Sequence, residues 1–159
     1  MARIARVVAP GLPHHIIQRG NRRQKVFFKE GDYSQYLELL EDYSSKFNLD
    51  ILAYCLMPNH IHLIATPHTG TGLAQAIGET HRNYTRFINF REKWRGYLWQ
   101  GRFSSYVLDE RYLLSATRYI LLNPVKANLV KKPWDYKWSS ARHHLKMGNT
   151  PLGVNAFLS

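Results

Sequence analysis

Tyr54-Cys55-Leu56-Met57-Pro58-Asn59-His60-Ile61-His62-Leu63-Ile64 reads as a β-hairpin. Apolar Ile51, Leu52, Tyr54 and Leu56 lead in, and Leu63 and Ile64 lead out. Met57-Pro58-Asn59 supplies the turn, because proline fixes φ and asparagine tolerates the left-handed region. Side chains alternate between faces along a strand, so His60 and His62 project together while Ile61 turns the other way, into a core. Two imidazoles aimed at one point from one strand face suit a divalent metal. A bare His-x-His is more often an ordinary half-buried pair, so the motif needs a second half before it defines a site.

The flanking sequence sets the hairpin in an α+β frame. Residues 13–19 (Pro13-His14-His15-Ile16-Ile17-Gln18-Arg19) predict a first strand, and Gly20-Asn21-Arg22-Arg23 a turn. Over 32–47, Tyr33, Tyr36, Leu37, Leu40, Tyr43 and Phe47 recur at helical spacing, with Asp32 as the expected N-cap. After the hairpin, a loop over 67–72 leads to a second helix over 73–90, with Thr71 as its expected cap. A fourth strand is expected over 103–108, then a third helix over 111–122 that stops at Asn123-Pro124. A short helix is expected within 139–147. The order is βαββαβ plus an additional C-terminal helix, matching the ferredoxin-like split βαβ arrangement with an antiparallel sheet. The first and third strands of such a sheet are central. The helices are expected on one face, leaving the other open for a long substrate. No repeat, low-complexity tract or linker divides the chain, so residues 1–159 are expected to form one domain.

Composition narrows the partners. The 22 Lys and Arg residues against 11 Asp and Glu give a net charge of +11, a field that attracts polyanions. Nucleic acid is the expected partner, ahead of an anionic membrane, since no basic amphipathic helix stands out. A single cysteine, Cys55, excludes an internal disulfide and a cysteine-based zinc site. Arg3 and Arg6 interrupt any signal-peptide-like apolar stretch, and no run approaches a membrane span. A soluble cytoplasmic protein is the simplest expectation. Between 82 and 106 cations alternate with aromatics. Arg82, Arg86, Arg91, Lys93, Arg95 and Arg102 suit phosphates, while Trp94, Tyr97, Trp99 and Phe103 offer faces for unpaired bases.

On the third helix Tyr119 and Asn123 stand four residues apart, hence on one face. A tyrosine can attack phosphorus when a metal polarises the phosphate, and an asparagine carbonyl can ligate a hard cation such as Mg²⁺ or Mn²⁺. By themselves the two residues read more readily as a core tyrosine and a helix-ending asparagine.

Taken together, 54–63, Trp99-Gln100-Gly101-Arg102-Phe103 and Tyr119-Ile120-Leu121-Leu122-Asn123-Pro124-Val125-Lys126-Ala127 make the chain resemble the single-tyrosine HUH transposases. Among these it is most similar to the IS200-like, REP-associated tyrosine transposase branch. The resemblance extends from His15 through Ser140. It implies that His60 and His62 bind the metal, that Tyr119 is catalytic, and that Asn123 falls where the third ligand sits, a position that is Gln in other IS200-like relatives. It further implies that Gln18-Arg19-Gly20-Asn21, continued by Arg22, takes part in recognising DNA beside a hairpin. The activity implied is cleavage and rejoining of single-stranded DNA near hairpin or palindromic elements through a 5′-phosphotyrosine, in a bacterial cytoplasm at the nucleoid. The working unit implied is a homodimer or a monomer. Gln18, Arg19, Asn21, Arg22, Arg82, Arg86, Trp99 and Arg102 are the DNA-binding candidates. Two rivals stay open: a non-catalytic nucleic-acid-binding module, and a metal-dependent phosphodiesterase that uses water in place of Tyr119.

Overall fold

The hairpin forms as β2 (Leu49–Met57) and β3 (His60–Pro67), turning at Pro58-Asn59, in a computed structural model that describes residues 5–147. Around it lie β1 (His14–Arg19), α1 (Glu30–Lys46), α2 (Gly72–Glu92), β4 (Ser104–Val107), α3 (Glu110–Lys126) and α4 (Ala141–His144). Short 3₁₀ turns occupy Asn21–Arg23 and Pro133–Asp135. The four strands make one antiparallel sheet in the order β2-β3-β1-β4, so the histidine-bearing strand is internal, as its topology predicts.

Register decides what shares a face. Across β3, His62 sits opposite Ile17 on β1 and Cys55 on β2, while His60 sits opposite Arg19 and Met57. Directly opposed residues project to one side, so these residues and His15, two positions before Ile17, line a single face. The alternate set includes Ile16, Tyr54, Leu56, Ile61 and Leu63, all fully buried. Gln18 belongs to that set and lines a cleft with His81 and Gly78 of α2, which puts α2 on the face opposite the histidines. Tyr36 and Leu40 of α1 and Leu73, Ile77, Tyr84 and Ile88 of α2 complete this core, each side chain removed from water contributing about 1.5–3 kcal/mol.

The other face is not wholly open. α3 packs against β2 and β3 through Leu113, Thr117, Ile120 and Pro124, a buried stripe at helical spacing. The expectation that all helices share one face is therefore corrected. Among the described residues no helix covers the β1–β4 side of this face, where His15 and Ile17 are half-buried and Tyr106 is exposed. Beyond α3 the chain returns along β2. Leu56 N donates to Trp138 O at 2.8 Å and Ser140 N to Tyr54 O at 3.0 Å, so these backbone groups of β2 do not face solvent unpaired.

Three helix ends differ from the sequence expectation. α3 runs through Pro124 to Lys126. Proline forfeits one i→i−4 bond, but just beyond it the helix closes in a Schellman arrangement. Asn128 (φ 59°) donates to Val125 O, and Leu129 donates to Pro124 O. At α1 the helix begins at Glu30, and Asp32 is the third residue rather than the cap; its carboxylate reaches back to the amides of Phe28 and Lys29. At α2, Thr71 occupies the cap position without a side-chain bond, and Thr69 Oγ1 instead accepts from Gly72 N at 2.9 Å. The short helix expected within 139–147 is the four-residue α4. No helix of the described residues is long and apolar enough to cross a membrane.

Candidate functional site

Strand alternation and the α3 packing stripe bring the predicted residues together. His62 is nearly buried, and Tyr119, whose neighbour Ile120 anchors α3, turns its half-exposed ring edge-on to it, with centroids 5.9 Å apart at 90°. His60 and His62 lie 5.0 Å apart, ring to ring. Asn123 and Lys126 follow Tyr119 at intervals of one and two turns, and the Lys126 ammonium stands 5.0 Å from the tyrosine ring centre. Asn123 is half-buried.

Each imidazole is held by its Nδ1. His60 Nδ1 lies 2.7 Å from Asn59 Oδ1, and Asn59 Nδ2 donates to Arg23 O at 3.4 Å. That second bond commits the amide nitrogen to a carbonyl, so the amide oxygen faces His60 and His60 must be the donor. His62 Nδ1 lies 3.0 Å from His15 Nε2. Burial, with Arg19 adding repulsion, pushes His60 down to about 4. Burial, with His60, His15 and Arg19 adding to it, pushes His62 down to about 3. Burial also lowers His15. All three are neutral at pH 7, as metal-binding imidazoles must be.

These donors fit a divalent cation. Both imidazoles use Nδ1 in contacts within the protein, which leaves Nε2 as the ring nitrogen for a ligand, and an amide sits on the facing helix. Among the described residues no set of three His, Cys, Asp or Glu side chains could hold an ion, so a third ligand comes from another donor type, such as the Asn123 amide, water or a substrate oxygen.

The turn after β1 is tied to the hairpin. Gly20 N donates to Asn59 O and Asn21 N to Leu98 O. A Cβ at position 20 would fall 2.1 Å from Gln24 O, so only glycine lets the chain turn there. Arg22 and Arg23 follow with φ of 55° and 59°, a left-handed pair that non-glycine residues seldom adopt, and both are exposed. Arg19 is exposed at the end of β1, opposite His60.

Other DNA-binding candidates are placed differently. Gln18 is buried; its Nε2 donates to Gly101 O at 3.0 Å and its Oε1 accepts from Arg19 N at 2.9 Å, so the amide holds the 99–102 loop. Trp99 is buried and stacks on His81, centroids 4.6 Å apart, and Phe103 is buried beneath the Arg6 guanidinium. Neither ring offers a face to a base. Arg91 forms a bidentate pair with buried Asp32, tying α2 to α1. Arg82 is paired with Glu79 on its own helix. Arg86 and Arg102 are exposed. Tyr97, 86% exposed, and Trp94, 45% exposed, are the open aromatics of the 82–106 segment named as candidates. A cleft of about 440 Å³ between α2 and the 97–103 loop carries Arg6, Arg82, Arg102 and Tyr97 on its lining, and a smaller one of about 250 Å³ joins Arg19 to Arg102.

His15 is the residue sequence reasoning passed over. Its signal was present: in an antiparallel pair, a histidine two positions before Ile17 lies on the face of His62. Reading it needed the β1–β3 register.

Residues 9–123 match the family described as IS200-like transposases, and the chain belongs to that family. Among solved structures it is similar to a REP-associated tyrosine transposase bound to a REP hairpin, 19% identical, with a TM-score of 0.78 and coverage of 100% of this chain and 94% of that one. A candidate transposase from Deinococcus radiodurans R1 is 24% identical, with a TM-score of 0.49 and coverage of 75% and 95%. Comparison with curated proteins gave no match.

Proposed function

We propose that this transposase cleaves and rejoins single-stranded DNA beside hairpins, with Tyr119 as the nucleophile and His60, His62 and Asn123 holding Mg²⁺ or Mn²⁺. The observation that carries the reading is the contact of the half-exposed Tyr119 ring with His62. It sets a phenol from α3 beside an imidazole from β3, as a nucleophile and a metal ligand acting on one phosphate would need to be. When bound, the cation would polarise a non-bridging oxygen of the scissile phosphate. The Tyr119 oxygen gives up its proton to solvent and bonds to phosphorus, the bond from phosphorus to the 3′-oxygen breaks, and that oxygen takes up a proton in its turn. The phosphoester is conserved as a 5′-phosphotyrosine, so the free 3′-hydroxyl can reverse the step with no outside energy source. Asn59 and His15 orient the imidazoles, Lys126 brings positive charge to the Tyr119 ring, and Arg19 brings it to His60 and His62.

Hairpin DNA is supported as the substrate by the exposed, left-handed Arg22-Arg23 turn, by the basic clefts around Arg102, and by the hairpin bound to the similar transposase. The phosphodiesterase rival leaves Tyr119 without a task. Incubation of the protein with labelled single-stranded hairpin DNA and Mn²⁺, resolved on denaturing gels, tests the reading. A protein-linked DNA band lost in both Tyr119→Phe and the double variant His60→Ala/His62→Ala supports it. Cleavage that persists in Tyr119→Phe points to water as the nucleophile.

A further inference from the structure

His60 and His62 are oriented by unlike partners. The Asn59 oxygen can only accept, so the His60 proton is fixed at Nδ1 and Nε2 is left bare. His62 faces another neutral imidazole at 3.0 Å, and one proton serves that contact. In one arrangement His62 Nδ1–H donates to His15 Nε2, leaving His62 Nε2 with a lone pair. In the other His15 Nε2–H donates to His62 Nδ1, and His62 carries its own proton at Nε2, where it blocks a metal. Resting on the metal site proposed above, we infer that His15 is a positioning residue that accepts the His62 Nδ1 proton and so holds His62 in its ligating tautomer.

Three observations support His15 as the residue that positions His62, and the metal site proposed above selects the first arrangement. The rings lie 5.2 Å apart with a 31° tilt, both nitrogens within hydrogen-bond distance, so His15 fixes ring orientation as well as tautomer. His15 is set by the sheet and not by a loop: it lies on β1 opposite Ile64 of β3 and Tyr106 of β4. His62 is nearly buried, so water is a poor substitute acceptor for its Nδ1 proton. A histidine in this supporting role leaves its own Nδ1 to carry the remaining proton. An acceptor at that atom, such as a phosphate oxygen of DNA lying over the β1–β4 face, would reinforce the ligating form.

The test compares wild-type protein with His15→Phe, which keeps a ring but removes the acceptor, and His15→Gln, which restores a carbonyl oxygen. Long-range ¹H–¹⁵N spectra of the metal-free protein at pH 7 read the His62 tautomer directly. The expected result is a proton on Nδ1 in wild type, a shift toward the Nε2–H form in His15→Phe, and its reversal in His15→Gln. Titration with Mn²⁺ alone should show affinity falling about 10- to 100-fold in His15→Phe and recovering in His15→Gln, with melting temperatures confirming that each variant folds. A wild-type His62 protonated at Nε2, or unchanged Mn²⁺ affinity in a folded His15→Phe, overturns the inference. If wild-type protein binds no Mn²⁺, the metal reading fails, and the His62 tautomer still decides the role of His15.

Discussion

The ring of Tyr119 meets the ring of His62 at right angles, 5.9 Å between centroids, and this contact joins two halves of a site that the chain keeps far apart. It exists because α3 buries Thr117 and Ile120 against the sheet, leaving Tyr119 on the flank of the buried stripe. A half-turn rotation of α3 would carry Tyr119 away from His62. Packing of an apolar stripe thus fixes the position of the Tyr119 phenol.

Arg91 is expected to act in stability and not in DNA binding. Asp32 is 1% exposed, accepts from the Phe28 and Lys29 amides, and is paired with the Arg91 guanidinium. Burial opposes its charge, yet Arg91 and the two amides hold its carboxyl below the usual range. Arg91→Ala leaves a buried charge without its partner and should destabilise by about 2–4 kcal/mol, lowering the melting temperature by roughly 5–12 °C. Thermal melting checks the drop, and an unchanged melting temperature would contradict the assignment.

Acid should weaken the fold in two windows. Burial pushes His81, which meets the Tyr36 hydroxyl at 2.8 Å, down to about 3. The unfolded chain takes up a proton near pH 6.5 and the folded chain resists, so this stability is whole above pH 6.5 and is lost as pH falls toward 3. The slope is about 1.4 kcal/mol per pH unit for each such histidine. Asp32 acts lower: its folded value is depressed, so its contribution is present above the ordinary carboxylate value of 3.8 and fades below it. Denaturant titrations between pH 7 and 4 should give a shallower slope for His81→Phe than for wild type.

Tyr97 and Trp99, two residues apart, should separate cleanly. Tyr97→Ala removes an exposed ring and should weaken single-stranded DNA binding by about 1–3 kcal/mol with no change in melting temperature. Trp99→Ala empties the space stacked on His81 and should destabilise by about 3–5 kcal/mol. Arg86→Ala and Arg102→Ala should each reduce the slope of log affinity against log salt by about one. Fluorescence anisotropy at several salt concentrations measures the three binding effects, and thermal melting measures the loss in Trp99→Ala and its absence in Tyr97→Ala.

What the sequence made legible was whatever depends on local period. Alternation over 54–64 gave the hairpin, and helical spacing gave α1, α2 and α3. The βαββαβ order of these elements, matched to the ferredoxin-like arrangement, gave the central place of His60 and His62. Pairings across the fold were not legible. Arg91 looks like one more basic residue until Asp32 is brought to it from α1, and Gln18 looks available until Gly101 claims its amide. Trp99 reads as a stacking platform in an alternation of cations and aromatics, yet it is drawn inside because the isolated bridge to Gly20 pins its backbone to the end of β1. Pro124 reads as a helix stop because the Schellman closure around Asn128 is visible only in φ. His15 needed the register between β1 and β3.

The central claim is that Tyr119 attacks the scissile phosphate. It is tested most directly by digesting the protein after reaction with single-stranded hairpin DNA and Mn²⁺, trimming the DNA with nuclease, and sequencing the modified peptide by mass spectrometry. The account predicts one modified residue, Tyr119, carrying a nucleotide through its 5′-phosphate. Cleaved DNA with an unmodified Tyr119 peptide, or a nucleotide on another residue, would contradict it.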